Sequence, residues 1–353
     1  MANPISKKLK YINKNGEEKE ITLYDNPASF FDYDGGNYIA VQADTNTVGY
    51  IYCNSKLPKD TTTHFASFID KNNNLRYAYT EETEEHIPSI TYTFTTGYDA
   101  MPKINGVVYS SKYEDTINGD GTTTRTLLID EPITQISFYN ITNNDCLLSF
   151  DESYGVKLTT CANMFDGCSG LTSINLSNFD TSNVTDMSYM FSGCEGLTSL
   201  NLSNFDTSNV TNMRYMFYIC SGLTSINLSN FDTSNVTSMN SMFGDCTGLT
   251  SINLSNFDTS NVTDMSYMFS SCEGLTSLNL SNFDTSNVTT MNSMFSGCEG
   301  LTSLDIRSFS SAGISYCSYM FEYVPSTCTV YVNKTEFTKK EADCGFTGTF
   351  TNV

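Results

Sequence analysis

Basic residues are scarce. Against 39 Asp and Glu the 353-residue chain carries 18 Lys and Arg, a formal charge of −21. Affinity for phosphate backbones comes from Lys and Arg releasing counterions, so a nucleic-acid partner is excluded and an anionic membrane surface is disfavoured. Long apolar runs are lacking as well: nothing approaches the roughly 18 consecutive apolar residues of a membrane helix. The first residues, MANPISKKLKYINKNGEEKEI, follow Lys7, Lys8 and Lys10 with polar side chains, where a secretory signal needs an apolar core of about 7–15 residues. The expectation is a chain neither inserted in a membrane nor addressed to the secretory pathway. Histidine is limited to His64 and His86, and there is no Gly-rich phosphate loop, H-E-x-x-H or G-x-S-x-G. Without those groups neither enzymatic activity nor a cofactor is expected. Apolar material is ample, at 39% hydrophobic with 23 Phe and 22 Tyr, enough for a sizeable core.

What is present in abundance is a period of 26 residues. Leu171, Leu197, Leu223, Leu249, Leu275 and Leu301 mark it, as do Cys168, Cys194, Cys220, Cys246, Cys272 and Cys298 and the Met-Phe pairs from Met164-Phe165 to Met320-Phe321. LTSINLSNFDTSNVT occurs unchanged at 171–185, 223–237 and 249–263, the mark of internal duplication. Within a unit, alternation at Ile174 and Leu176 predicts a short strand with Ser173, Asn175 and Ser177 outward. Val184, Met187, Met190-Phe191 and Cys194 step by three and four, which predicts a short helix. Asp180 to Asn183 supply turn and N-cap chemistry, and a glycine such as Gly196 releases the chain into the next strand.

A unit of one strand and one short helix cannot bury its own apolar face, so neighbours must stack and share a core. The predicted fold is a right-handed α/β leucine-rich-repeat solenoid of about eight rungs, a parallel sheet plus short helices. Leu148 and Phe150 stand in register with Ile174 and Leu176 at one end, and Val330 and Val332 with Leu304 and Ile306 at the other. At about 4.8 Å per strand the sheet would run roughly 35 Å.

The unit L-x-x-L-x-L-S-x-F-D-T-S-x-V-x-x-M-x-x-M-F-x-x-C resembles the BspA-type leucine-rich repeats of bacterial surface proteins and of some bacteriophage and protist proteins. The resemblance covers about 145–335. It implies a solenoid used for adhesion or recognition, with no enzymatic activity. Before it, alternation at Ile90, Tyr92 and Phe94, around Val107-Val108, Leu127 to Ile129 and Ile136 to Phe138, with Asn-Gly turns at Asn105-Gly106 and Asn118-Gly119, predicts β-structure. EETEEHIP at 81–88 suggests a boundary. The division expected is a β-rich module at 1–88, a second at 89–144, the solenoid at 145–335 and a C-terminal cap at 336–353.

Each recurring column admits a bland and a functional reading. The Cys column can be buried thiols, packing as small hydrophobes, or a ladder of disulfides or metal ligands. The Asp column of Asp180, Asp206, Asp232, Asp258 and Asp284 can accept N–H groups of its own turns or hold calcium. The Asn column of Asn175, Asn201, Asn227, Asn253 and Asn279, ending in Asp305, can bond from rung to rung or meet a repetitive ligand. The position of Tyr189, Tyr215, Tyr267 and Tyr319 is taken by Ser241 and Ser293, so that face varies. Variation on that face also includes Arg214, Tyr218 and Asp245, and the rung around 212–219, with Arg214, Tyr215 and Tyr218, is the expected specific contact. The functional expectation is a non-enzymatic structural or recognition protein. Its β modules would dock it to a larger assembly, a bacteriophage tail or fibre of the virion, and its solenoid would face a host surface protein or polysaccharide. The alternatives are a bacterial cell-surface adhesin, an intracellular scaffold and a polysaccharide-binding accessory module.

Overall fold

The computed structural model describes residues 89–98, 100–109, 113–129, 132–139, 146–154, 156–338 and 341–353, and before them the backbone of seven strands. Contacts divide the chain into two compact units, Met1–His86 and Ile87–Val353. The charged segment 81–88 lies outside the described residues.

The first unit holds β1 (Ser6–Ile12) paired with β2 (Glu18–Tyr24), β3 (Phe30–Tyr33) and β5 (Thr47–Cys53) on either side of β4 (Gly36–Asp44), and β6 (His64–Ile69) paired with β7 (Leu75–Thr80). All these pairs are antiparallel.

The second unit begins with β8 (Ser89–Thr95), whose alternation buries Ile90, Tyr92 and Phe94. Then come β9 (Lys103–Ile104) and β10 (Val107–Val108), joined by Asn105 and Gly106, both at positive φ as a tight hairpin turn requires. Next are β11 (Tyr113–Ile117), β12 (Thr122–Leu128), β13 (Ile136–Ser137) and β14 (Leu147–Tyr154). The sheet order is β11, β12, β8, β14 and then β15 (Ser173–Ile174), which lies parallel to β14. Strand pairing therefore crosses residue 145 without a break. The register there differs from the expected one: Phe150, not Leu148, stands opposite Ile174. The bulges that β14 forms against β8 shift the strand relative to the period. At the far end β16 (Ser277–Asn279), β17 (Ser303–Asp305), β18 (Thr329–Val332) and β19 (Phe350–Asn352) run parallel, with Val330 opposite Leu304 as the period demands and Phe350 opposite Val330.

The predicted helices are absent. Among the described residues the Val184–Cys194 segment and its equivalents form turns. The N–H groups of Met187, Tyr189, Phe191 and Gly193 donate to the carbonyls of Asn212, Arg214, Met216 and Tyr218 in the next unit, at 2.7–3.1 Å. The residues between them bond back three positions, Met190 to Met187 and Cys194 to Phe191. A helix cannot form, because half its N–H groups are committed to the neighbouring unit and because Tyr189 sits at φ 57°. Left-handed backbone costs a non-glycine residue about 1–2 kcal/mol and persists only where the surroundings over-determine it. Here they do: the same conformation recurs at Tyr215, Ser241, Tyr267, Ser293 and Tyr319.

Side chains complete the stack. Phe165, Phe191, Phe217, Phe243, Phe269, Phe295 and Phe321 form a column of parallel rings, centroids 5.6–6.0 Å apart and planes within 24°. Phe138 stacks on the first ring at 5.7 Å, and Phe346 and Phe350 close on the last at 5.6 Å. Residues flanking the repeats at both ends thus extend one shared core, lined by the Leu, Val, Met and Cys columns. Ile174, Leu200, Ile226 and Ile252, expected inward, are only partly buried.

Candidate functional site

The recurring polar groups are engaged in turns within a unit or in bonds between units. The Asn column expected to bond from rung to rung does not: Asn175, Asn201, Asn227, Asn253 and Asn279 are exposed, and each Oδ1 accepts the N–H of the serine two residues on, at 3.0–3.1 Å. Their fixed place just before a turn makes a local bond easier than a lateral one. The lateral role falls to two other asparagine positions. Asn204 Nδ2 donates to the carbonyls of Leu176 and Phe179, and Asn209 Nδ2 to that of Ser182, a pattern repeated unit after unit. A column of buried threonines does the same: the Thr207 hydroxyl donates to the Asp232 carbonyl at 2.9 Å and accepts from its N–H at 2.8 Å. The invariance of S-N-F-D-T-S-N in the sequence was the available signal, but it does not say which side chain reaches which neighbour.

In the Asp column, Asp206 Oδ1 accepts both the N–H and the hydroxyl of Ser208, at 3.0 and 2.6 Å. The serine hydroxyl and then its N–H hold the carboxyls of Asp180, Asp206, Asp232 and Asp258 below their ordinary range. At Asp284 the Ser286 N–H donates to Oδ1 at 2.8 Å. Among the described residues no cluster of His, Cys, Asp and Glu has the arrangement of a metal site. The column cysteines are buried thiols, and Cys220, Cys246, Cys272 and Cys298 each donate to a phenylalanine carbonyl 29 residues earlier, at 3.0–3.1 Å. Burial raises them, Cys246 and Cys298 to about 12.

The Tyr/Ser column departs from this regularity. Tyr189 and Tyr215 stack at 4.5 Å with planes 5° apart, and Arg214 lies over the Tyr189 ring at 5.6 Å. The next unit has Ser241 where a third ring would continue the column, and the following one has Tyr267, 46% exposed. The gap opens as a recess of about 190 Å³ lined by Tyr215, Tyr218, Asp245 and Tyr267 together with Ser241, Gly244 and Ser270. Tyr218 packs edge-on against Tyr215 at 5.3 Å. Glycine at 244 makes room for it, since a Cβ there would stand 3.1 Å from the Tyr218 ring. Burial, and then the Asp245 carboxylate, raise the Tyr218 phenol. Of the expected contact residues, Tyr215 and Tyr218 meet in this recess, while Arg214 is engaged with Tyr189. The asparagine and aspartate columns lie elsewhere on each unit.

Stacked 26-residue units with a shared aromatic interior define a tandem-repeat protein. The chain belongs to the DUF285 family, described as Mycoplasma protein of unknown function, whose model matches residues 159–271 and 237–336, together half the chain. It is a BspA-related repeat protein. No curated protein and no solved structure matches it.

Proposed function

We propose that the protein is a non-enzymatic recognition protein in which the 26-residue units form a continuous solenoid, and that its β-rich N-terminal part docks it to a larger assembly. The observation that carries this reading is the contrast between the committed and the uncommitted groups. Recurring Asn, Thr, Ser and Asp side chains are spent on turns and on neighbouring units, whereas the outward Tyr/Ser column varies and opens a recess. Variation confined to an outer face suits binding, and equivalent carboxylates engaged in identical turns do not suit acid–base chemistry, which needs two groups in different environments. The partners proposed are a protein of the assembly and a host surface protein or polysaccharide.

The assembly proposed is a bacteriophage tail or fibre, and the second reading is a bacterial cell surface, the family's description naming a bacterium. Fractionation of the producing culture tests both. Recovery in purified particles supports the virion and recovery in the envelope fraction supports the adhesin. A protein found solely in the soluble cell extract, binding no cells when added back, would remove both.

A further inference from the structure

The recess at Ser241 has the form of a missing aromatic side chain, and its surroundings define what would replace it. Tyr215, Ser241 and Tyr267 share the left-handed backbone, with φ 57°, 52° and 59°, so their side chains leave the stack in the same direction. Tyr189 and Tyr215 show that one unit of spacing brings rings to 4.5 Å. Two units leave roughly 9–10 Å between the ring centres of Tyr215 and Tyr267, room for one planar group at the centre-to-centre spacing that Tyr189 and Tyr215 show. A carboxylate, Asp245, lines the recess beside Tyr218.

The molecule shows elsewhere what occupies such a place. The Arg125 guanidinium lies 4.9 Å from the Phe94 centroid and 4.4 Å from that of Tyr113, while its Nε and Nη2 fork onto Asp115 at 2.6 and 2.8 Å. Two aromatic faces and one carboxylate hold one planar cation. Arg214 over Tyr189 repeats half of that arrangement beside the recess itself. The second gap in the column, at Ser293, lacks the full complement: Ser296 and Gly297 stand where the first gap has Gly244 and Asp245, and Ser270 where it has Tyr218.

Resting on the recognition reading above, we propose that the Ser241 recess binds an arginine side chain of a partner protein, its guanidinium between Tyr215 and Tyr267 and forked onto Asp245. Charge complementarity favours such a partner, because the chain carries a net −21 and an acidic surface speeds encounter with a basic one. Planarity makes the choice of arginine over lysine, whose ammonium is a compact, strongly hydrated point charge that neither stacks nor forks.

The test uses the full-length protein with an oligoarginine and an oligolysine peptide of equal length, at about 0.15 M salt, where charges farther apart than about 8 Å are screened. The arginine peptide is expected to bind at least about tenfold more tightly. Ser241→Tyr refills the column with the residue used at Tyr189, Tyr215, Tyr267 and Tyr319, so it should fold with an unchanged or higher melting temperature and lose the preference. Asp245→Asn should reduce the preference, and Ser293→Tyr should leave it intact. Equal binding of the two peptides, or a preference that survives Ser241→Tyr or disappears in Ser293→Tyr, would overturn the proposal. Failure of the recognition reading looks different: an arginine preference in a protein that joins neither particles nor cells would keep the recess and remove the assembly. Association with particles or cells that persists in Ser241→Tyr, without any arginine preference, would do the reverse.

Discussion

The two flanks of each repeat hold their neighbours by different means. On the Met-Phe flank, backbone N–H groups reach the next unit at alternate residues all along the array, and parallel bridges link Thr160, Asp186, Asn212, Ser238, Asp264, Thr290 and Tyr316 in one line. On the Leu flank, strands occur at the two ends, Ser173–Ile174 and from Ser277 onward. Between them, asparagine amides and threonine hydroxyls supply much of the contact. The lesson is that a repeat can be held in register by backbone where the chain is tightly wound and by side chains where it is extended, the reverse of what strand-like alternation suggests.

The largest separation of the flanks should come from base. The buried thiols lie on the Met-Phe flank, and a thiol is uncharged while protonated. Folding keeps Cys246 and Cys298 protonated up to about 12, well above the ordinary thiol value. Their contribution to stability is therefore intact below the ordinary thiol range of about 8.5 and is lost as pH rises towards the folded value. Melting temperature followed upward from neutral pH should fall steeply between those limits. Cys246→Ala should flatten that slope, and a slope unchanged by it would assign the loss to other groups.

Truncation comes next. Phe243 lies in mid-column, stacked at 5.6 Å on both sides, and Phe243→Ala should cost about 3–5 kcal/mol in denaturant unfolding. Ile226→Ala on the Leu flank removes a side chain that is only partly buried and should cost about 1 kcal/mol. Comparable losses at the two positions would show that burial on the flanks does not differ as described.

Hydrogen bonds should rank below loss of the Phe243 ring. The Thr233 hydroxyl joins both the N–H and the carbonyl of Asp258 at 2.9 Å and is 1% exposed. Thr233→Val keeps the shape and strands two partners, at a cost of about 1–3 kcal/mol. Asn230→Ala, which removes two bonds to the neighbouring unit, should cost about 1 kcal/mol. Asn227→Ala, in a solvent-exposed local turn, should stay within about 0.5 kcal/mol. The order Thr233, Asn230, Asn227 is the outcome that distinguishes lateral from local bonding.

The 26-residue period was fully legible in the residues, as were the buried Leu, Val, Met, Phe and Cys columns, because strict recurrence of apolar side chains has no solvated explanation. The helix was not. Spacing of three and four at Val184, Met187, Met190 and Cys194 satisfies a helix, but it equally satisfies turns that bury the same side chains, and nothing in a tyrosine at 189 announces positive φ. The register at Phe150 was illegible too, since it depends on bulges formed against β8, a strand 50 and more residues away. Substitution of Ser241 in the Tyr column was visible as variation. That it leaves a recess walled by Tyr218 and Asp245 required the positions of three consecutive units.

The smallest effect is expected in the Asp column, and it sharpens the comparison by its sign. These carboxyls sit on the Leu flank with their folded values depressed by serine hydroxyl and N–H bonds. Their contribution is present above the ordinary carboxyl range and is lost as pH falls through the depressed values, so acid weakens this flank as base weakens the other. Charges one unit apart, about 5 Å, repel by roughly 0.8 kcal/mol in water; the Oδ1 of Asp206 and of Asp232 is already taken by a serine hydroxyl and N–H, which leaves calcium one carboxylate oxygen per unit, far short of its about 6–8 oxygen ligands. A bound calcium at about 100 times its dissociation constant would stabilise the protein by about 2.7 kcal/mol. Millimolar calcium should instead leave the melting temperature unmoved, as should chelation. A rise of several degrees on adding calcium, abolished by Asp232→Asn, would turn the column from turn chemistry into a metal track.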